Sequence, residues 1–308
     1  MRILPASTEI SADATIWFEG EILPHPTVAV HALTHALHYG SSIFEGIRVY
    51  PSARGAAIFR LREHVARLYE GAAAYGMTMP FDADVMFETI RSTVAASGRE
   101  AAYVRPLAFF SGDTVRLAPE TICPTQVLVA VLPFAGLRPG QLQYSAGLTS
   151  VMKTPSAALP SYVKAGGHYT NSIRALHDVN RRGFDEAILL NDRGDIAEGS
   201  GENVFVVRDG TLYTNDRDAD ILPGITRDSV LVLARQAGIP VMVRPLTVDD
   251  LAQADEAFLT GTAAEVVPIS RFESRLMTEG PVTERLRSAY ASVVRGESPA
   301  PAPWLTLV

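Results

Sequence analysis

The chain has 308 residues, 47% hydrophobic and 20% charged, the make-up of a globular protein long enough for two cored domains. A formal net charge of −7 argues against nucleic acid as a partner, and the single cysteine, Cys123, excludes an intrachain disulfide and a cysteine metal site. No apolar run reaches the ~18 residues of a membrane span, and the N-terminus lacks the apolar core of a signal peptide, so a soluble cytoplasmic protein is expected.

Residues 1–13 are expected to be loosely attached. Residues 14–19, Gly20 and 21–23 read as a short hairpin. A short helix or turn is expected at 31–39, closed by Gly40. His31, His35 and His38 fall there at helical spacing, where packing or hydrogen bonding outranks a metal. Residues 44–50, FEGIRVY, alternate as one strand, with Phe44, Gly46, Arg48 and Tyr50 on one face and Glu45, Ile47 and Val49 on the other. A strand at 56–59 and an amphipathic helix at 61–75 follow. That helix turns Leu61, Val65, Leu68 and Ala72 inward and puts Arg60, His64 and Arg67 on another face. Asp82 or Asp84 caps a helix ending at Gly98, and strands are expected at 102–110 and 125–132.

The segment 133–140, PFAGLRPG, reads as a linker between a first α+β domain (1–132) and a second domain (141–308). The second opens at 148–153. A helix is expected at 171–182, a strand at 186–191, a hairpin at 204–208 and 211–214 around Asp209-Gly210, a helix at 226–236 and strands at 241–243 and 257–260. A Pro/Ala tail occupies 298–303.

Of 27 basic residues only Lys153 and Lys164 are lysines; the other 25 are arginines. What lysine does and arginine does not is lose its proton and attack a carbonyl. Lys164 stands in SYVKAGGHYTNS, before glycines that let backbone approach closely, and reads as a buried Schiff-base lysine. In LPGITR a Pro-Gly turn delivers Ile225 and Thr226 to the first turn of a helix, an anion site suited to phosphate. The small residues of Thr260-Gly261-Thr262-Ala263-Ala264 offer a second set of N–H groups. In IAEGSGEN the carboxylates Glu198 and Glu202 are placed to keep a pyridine nitrogen protonated. A protonated ring is the electron sink that stabilises a carbanion, so lysine, phosphate cradle and carboxylate together specify pyridoxal 5′-phosphate.

The stretches HALHYGSSIFEGIRVY, EHVARL, YVRPL, KAGGHY, AEGSGENVF, LPGITR and GTAAEV span about residue 14 to about 270. In that order they resemble the branched-chain amino acid aminotransferases of the class IV (fold type IV) family. The resemblance implies a two-domain α+β fold of the D-amino-acid/branched-chain aminotransferase kind and a homodimer. It also implies transfer of the amino group of L-Leu, L-Ile or L-Val to 2-oxoglutarate. By the same resemblance Lys164 carries the cofactor, Tyr169 bonds its ring oxygen and Glu198 its ring nitrogen. Arg67, Ile225, Thr226 and Thr262 hold its phosphate. Phe44, Gly46 and Arg48 line the substrate pocket. Tyr103, with Thr262 and Ala263, meets the α-carboxylate, and Arg105 the side-chain carboxylate of glutamate. Tyr39 reaches the neighbouring subunit's pocket. Two departures, Phe134 where many relatives have Trp and the SGDTVRLAP segment, leave the amino-acid preference open. Alternatives are a same-fold transaminase for D-amino acids or (R)-amines, an aminodeoxychorismate-type lyase, and a cofactor-binding protein without turnover.

Overall fold

The structure, a computed structural model, describes residues 14–24, 28–112, 114–119, 123–134, 136, 142–300 and 303–308. The expected loose segment 1–13, positions 135 and 137–140 of the expected linker, and Asp113 lie outside them. The chain divides into two units. The first runs to the end of the N-terminal region and includes Val163–His168 and Val294–Val308; the second comprises Gly136–Tyr162 and Tyr169–Val293. The short segment carrying Lys164 thus folds with the first unit although the chain on both sides of it belongs to the second.

The first unit opens with the hairpin β1 (Thr15–Phe18) and β2 (Glu21–Pro24). Next comes α1 (His35–Tyr39), ended by Gly40 in the left-handed region at φ 66°. Then follow β3 (Ser42–Phe44), β4 (Ile47–Ser52), β5 (Gly55–Phe59), α2 (Leu61–Ala74), α3 (Ala83–Ser97), β6 (Ala102–Phe110) and β7 (Thr125–Pro133). The strands form an antiparallel sheet in the order β5-β4-β6-β7-β1-β2, with β3 also on β6. The alternation of 44–50 predicts one strand; the structure divides it into β3 and β4. The cause lies on the partner strand. Phe44 faces Leu107 and Ile47 faces Val104, but Pro106 between them has no N–H to donate, and only Glu45 N–H bonds its carbonyl, at 2.9 Å. Leu61, Val65, Leu68 and Ala72 of α2 are buried as their spacing predicts, as are Met86, Ile90 and Val94 of α3. Asp82 caps α3 by accepting from Val85 N at 2.8 Å.

The C-terminal strand Leu305–Leu307 pairs with the β5 edge. Trp304 is buried beside it, takes a 2.6 Å hydrogen bond from Arg60 N on its carbonyl, and lies 4.9 Å under the Arg60 guanidinium. Of the Pro/Ala tail, residues 301 and 302 are outside the described set.

The second unit contains β8 (Tyr144–Leu148), α4 (Tyr169–Asn180), β9 (Glu186–Leu190), β10 (Ile196–Gly199), β11 (Asn203–Arg208), β12 (Thr211–Thr214), α5 (Ile225–Gln236) and β13 (Val241–Val243). It continues with α6 (Val248–Ala252), β14 (Glu256–Gly261), β15 (Glu265–Phe272), β16 (Arg275–Leu276) and α7 (Pro281–Val294). Its mixed sheet runs β10-β9-β8-β15-β14-β11-β12-β13, with β16 on β15. The pairs β8–β9 and β12–β13 are parallel, and in each a helix, α4 or α5, makes the crossover that a parallel pair requires. Buried Ala175 and Val179 of α4 pack with Ala187 and Leu189 of β9. The N-terminus of α7 is held by buried Glu256, which accepts from Val282 N and Thr283 N at 3.1 and 2.7 Å.

Among the described residues no helix is long and apolar enough to cross a membrane, and no group of His, Cys, Asp and Glu is arranged to hold a metal ion. The histidines of the α1 region make hydrogen bonds instead. His35 Nδ1 meets Ser41 Oγ at 2.7 Å and its Nε2 the Arg116 carbonyl at 3.0 Å, while His38 Nε2 meets the Ala32 carbonyl at 3.0 Å.

Candidate active site

In the first unit the lysine segment lies along β3. Ala165 bridges Ile43, and Phe44 N–H donates to the Lys164 carbonyl at 3.0 Å. The glycines of AGG permit this approach. Gly167 N–H donates to the Gly40 carbonyl at 3.0 Å, and a Cβ on Gly40 would stand 2.8 Å from Gly167 Cα. Lys164 as a residue is only partly buried, but its amine is enclosed by protein atoms. Burial, then the nearby Arg67, push that amine below the usual lysine range, while Glu45 and Tyr103 pull the other way. Nζ lies 5.1 Å over the Phe44 ring.

Beneath it is a carboxylate that alternation placed on the far face of the strand and that no site reading included. Glu45 is 1% exposed. It accepts from Arg67 Nε at 2.6 Å and Arg67 Nη2 at 2.9 Å, and from His64 Nδ1 at 2.7 Å. Burial works to raise the Glu45 carboxyl, but Arg67 and then His64 reverse this and hold it far below the usual carboxylate range. For His64, burial outweighs the pull of Glu45 and keeps the imidazole below its usual range, so it serves Glu45 as a neutral N–H donor.

Tyr103 and Arg105, two apart on β6, share a face as expected. Arg105 Nη2 donates to Tyr103 Oη at 3.0 Å, and the guanidinium lies 4.4 Å over Phe44 and 5.3 Å from the Tyr103 ring centre. Arg105 Nε is buried without a hydrogen-bond partner among the described residues. Gly46 is required here, because a Cβ on it would stand 2.0 Å from Tyr103 Oη. Arg48 is 4% exposed and lies between Tyr50 and Phe134, 4.7 and 4.2 Å from the two ring centres. Tyr39 is 44% exposed at the end of α1, and its hydroxyl donates to the Val115 carbonyl at 2.8 Å.

In the second unit Glu198 lies in β10, 7% exposed. Its Oε1 takes Lys153 Nζ at 2.5 Å; its Oε2 takes Asn203 Nδ2 at 3.2 Å and Leu222 N at 3.0 Å. Asn203 also donates to the Leu222 carbonyl, which ties β10 and β11 to the lead-in of α5. Gly224 is the N-cap of α5 and no side chain caps it, with buried Ile225 and Thr226 in the first turn. Thr260 pairs with Asn203 across β14 and β11, and its buried hydroxyl has no hydrogen-bond partner among the described residues. Thr262 and Ala263, partly buried, follow in the turn to β15. Tyr169 opens α4, also partly buried.

The first unit thus carries Phe44, Gly46, Arg48, Arg67, Tyr103, Arg105 and Lys164, and the second carries Glu198, tied to the lead-in of α5, with Ile225 and Thr226 in the first turn of that helix and Thr262 and Ala263 in the turn after β14. Sequence reasoning did not include Glu45, Lys153 or Asn203 in the site. The scarcity of lysine was a signal for Lys153, and nothing local pointed to Glu45.

The family described as amino-transferase class IV matches residues 42–272. A branched-chain-amino-acid aminotransferase of Pseudomonas aeruginosa is 38% identical over 303 residues, covering 96% of this chain and 98% of the relative. A crystal structure of a T.th. branched-chain amino acid aminotransferase complexed with N-(5′-phosphopyridoxyl)-L-glutamate superposes with a TM-score of 0.92 at 41% identity, covering 97% and 99% of the two chains. The branched-chain aminotransferase of Thermoproteus uzoniensis with norvaline gives 0.91 at 36% identity, covering 95% and 98%.

Proposed function

The chain belongs to the class IV aminotransferase family, and from that premise we propose that it transfers the amino group of L-leucine, L-isoleucine or L-valine to 2-oxoglutarate, with pyridoxal 5′-phosphate as carrier. The observation that carries this reading is Lys164, an enclosed amine biased towards its neutral, nucleophilic form by burial and by Arg67. The donor set fits the cofactor: an amine, a guanidinium and a helix N-terminus without a side-chain cap for an anion, and a buried carboxylate for a ring nitrogen. When bound, pyridoxal phosphate supplies an aldehyde that takes up the amino group and a protonated ring that withdraws electrons from Cα.

Lys164 would hold the cofactor and move the α-proton. Arg67, held by Glu45, would grip the phosphate together with the N-terminal turn at Ile225 and Thr226 and with Thr262. Glu198 would hold the ring nitrogen, and Tyr169 the ring oxygen. On the substrate side, Tyr103 and the N–H groups of Thr262 and Ala263 would bind the α-carboxylate, with Phe44, Gly46 and Arg48 lining the pocket.

Leucine needs an apolar wall and glutamate needs a cation. Arg105 reconciles them by resting over the Phe44 ring and bonding Tyr103, so that facing leucine it keeps its aromatic and hydroxyl partners. Facing glutamate it offers a charged fork that contributes roughly 1.5–3 kcal/mol.

A homodimer belongs to the same reading. Val30, Leu33, Leu37, Tyr39, Val115 and Leu117 are all more than 40% exposed in the first unit, an apolar set suited to a second copy. A cytoplasmic setting accords with it.

The test is a scan of single amino acids in the half-reaction, following the absorbance band of the lysine-bound cofactor. The band should be lost with leucine, isoleucine, valine and glutamate; a response confined to D-amino acids or amines would overturn the reading. Verified mixed dimers of Lys164→Ala and Tyr39→Ala chains should recover activity above either parent if Tyr39 serves the neighbour's site, and should not if each chain completes its own.

A further inference from the structure

Only two lysines occur among 27 basic residues, and the proposed function uses one of them. The other is built into position. Lys153 N–H donates to the Leu190 carbonyl at 2.8 Å, which fixes its backbone to β9. Both of its neighbours are held by one residue of α4: Asn171 Nδ2 donates to the Met152 carbonyl at 2.9 Å, and Asn171 Oδ1 accepts from Thr154 N at 3.3 Å. From this anchored backbone the side chain, 16% exposed, places Nζ 2.5 Å from Oε1 of Glu198, whose side chain is 10% exposed. The second oxygen is fixed independently by Asn203 and Leu222. A mobile surface lysine would show neither the clamped backbone nor the enclosed contact.

We propose that Lys153 is the positioning residue for Glu198: it fixes the carboxylate and keeps the negative charge on it, so that a proton shared with the pyridine nitrogen of pyridoxal phosphate rests on the ring. This rests on the function proposed above. The reasoning is electrostatic. A proton between a carboxylate and a pyridine has two resting places, a neutral pair with the proton on oxygen and an ion pair with the proton on nitrogen. A cation nearby favours the ion pair if it is closer to the carboxylate than to the ring, because its attraction to the oxygen then exceeds its repulsion from the nitrogen. Nζ is already in contact with Oε1, so a ring nitrogen bonded to Glu198 is the more distant group. In a site shielded from water this bias is not screened away. Lys153 touches neither substrate nor ring in this role; it acts through Glu198.

The test uses the full-length holoenzyme loaded with pyridoxal phosphate carrying ¹⁵N in the ring, whose resonance separates protonated from unprotonated pyridine. Wild type should give the protonated resonance. Lys153→Met and the polar, uncharged Lys153→Gln should both move it towards unprotonated pyridine and slow the leucine half-reaction roughly tenfold, with a smaller change in apparent substrate affinity. Lys153→Arg restores the charge and should return the resonance. In a Glu198→Gln background, Lys153→Met should move it no further. A wild-type-like resonance in both neutral variants, even with reduced thermal stability, would overturn the proposal, as would an additional shift in the Glu198→Gln background. Failure of the wild type to bind the cofactor at all would overturn the proposed function and this inference with it. Binding with turnover but no response to Lys153 would overturn this inference alone.

Discussion

The chain's two lysines have opposite surroundings. Lys153 stands against a carboxylate at 2.5 Å, with its backbone clamped on both sides. Lys164 has its amine enclosed beside an arginine and over an aromatic ring, and the nearest acid influence, Glu45, is already engaged by Arg67 and His64. Lys153 is paired with an acid, whereas burial and Arg67 disfavour the ammonium of Lys164. The same side chain is thus held in an ion pair in one unit and is the proposed reactive amine in the other.

The largest expected effect comes from removing the reactive amine. Lys164→Ala should abolish both turnover and the absorbance band of the lysine-bound cofactor, whereas Lys153→Ala should retain the band. The reverse result would exchange the two roles. Next is the acid that Lys153 serves. Glu198→Gln should leave the cofactor bound but slow the half-reaction on the order of 10²-fold or more, measured by single-turnover absorbance. An unchanged rate would move the ring-nitrogen role elsewhere, with Glu202 next in line.

Arg105→Leu should weaken the glutamate and 2-oxoglutarate half-reaction by about 10- to 150-fold and the leucine half-reaction by only a few-fold. Arg105→Lys should recover part of the loss, since lysine lacks the planar fork. Equal losses for both substrates would make Arg105 a structural residue.

The smallest effect is on the pH dependence of stability. Burial lowers the folded-state value of His64, which faces Glu45, Arg67 and Lys164. The unfolded chain therefore binds the His64 proton more readily, and stability should fall as the pH drops through about 6.5. His64→Asn keeps an N–H donor without that titration and should flatten the slope in urea midpoints between about pH 8 and pH 5.5. This window lies above the acid range in which Glu45 contributes, because its folded value is depressed and its stabilisation is lost only at lower pH. An identical slope in both proteins would place the sensitivity at another group.

Local pattern carried much of the fold. Alternation in 102–110 predicts β6 with the bounds observed, and the 3.6-residue spacing of Leu61, Val65, Leu68 and Ala72 predicts the buried face of α2. What escaped was decided by distant chain. The break between β3 and β4 is imposed by Pro106 on the partner strand, and the strand at Leu305–Leu307 exists because it has β5 to pair with. The site divides in the same way. Lys164, Glu198 and the α5 turn stand in short stretches with their own chemical logic, whereas the role of Arg67 comes from the family resemblance alone. Alternation put Glu45 on the face opposite Phe44, but it could not show that this face meets α2, where His64 and Arg67 reach the carboxylate. Lys153 finds its partner far along the chain, so residue scarcity singled it out but could not say what it touches.

The most direct test of the claim that Lys164 carries the cofactor exploits the lysine count. Borohydride reduction of the holoenzyme, followed by peptide mass spectrometry, fixes a pyridoxyl group on whichever lysine forms the link, and the chain offers only Lys153 and Lys164. The expected result is stoichiometric labelling of the peptide containing Lys164 and none on Lys153. A label on Lys153, or no lysine label in a protein that turns over leucine, would contradict it.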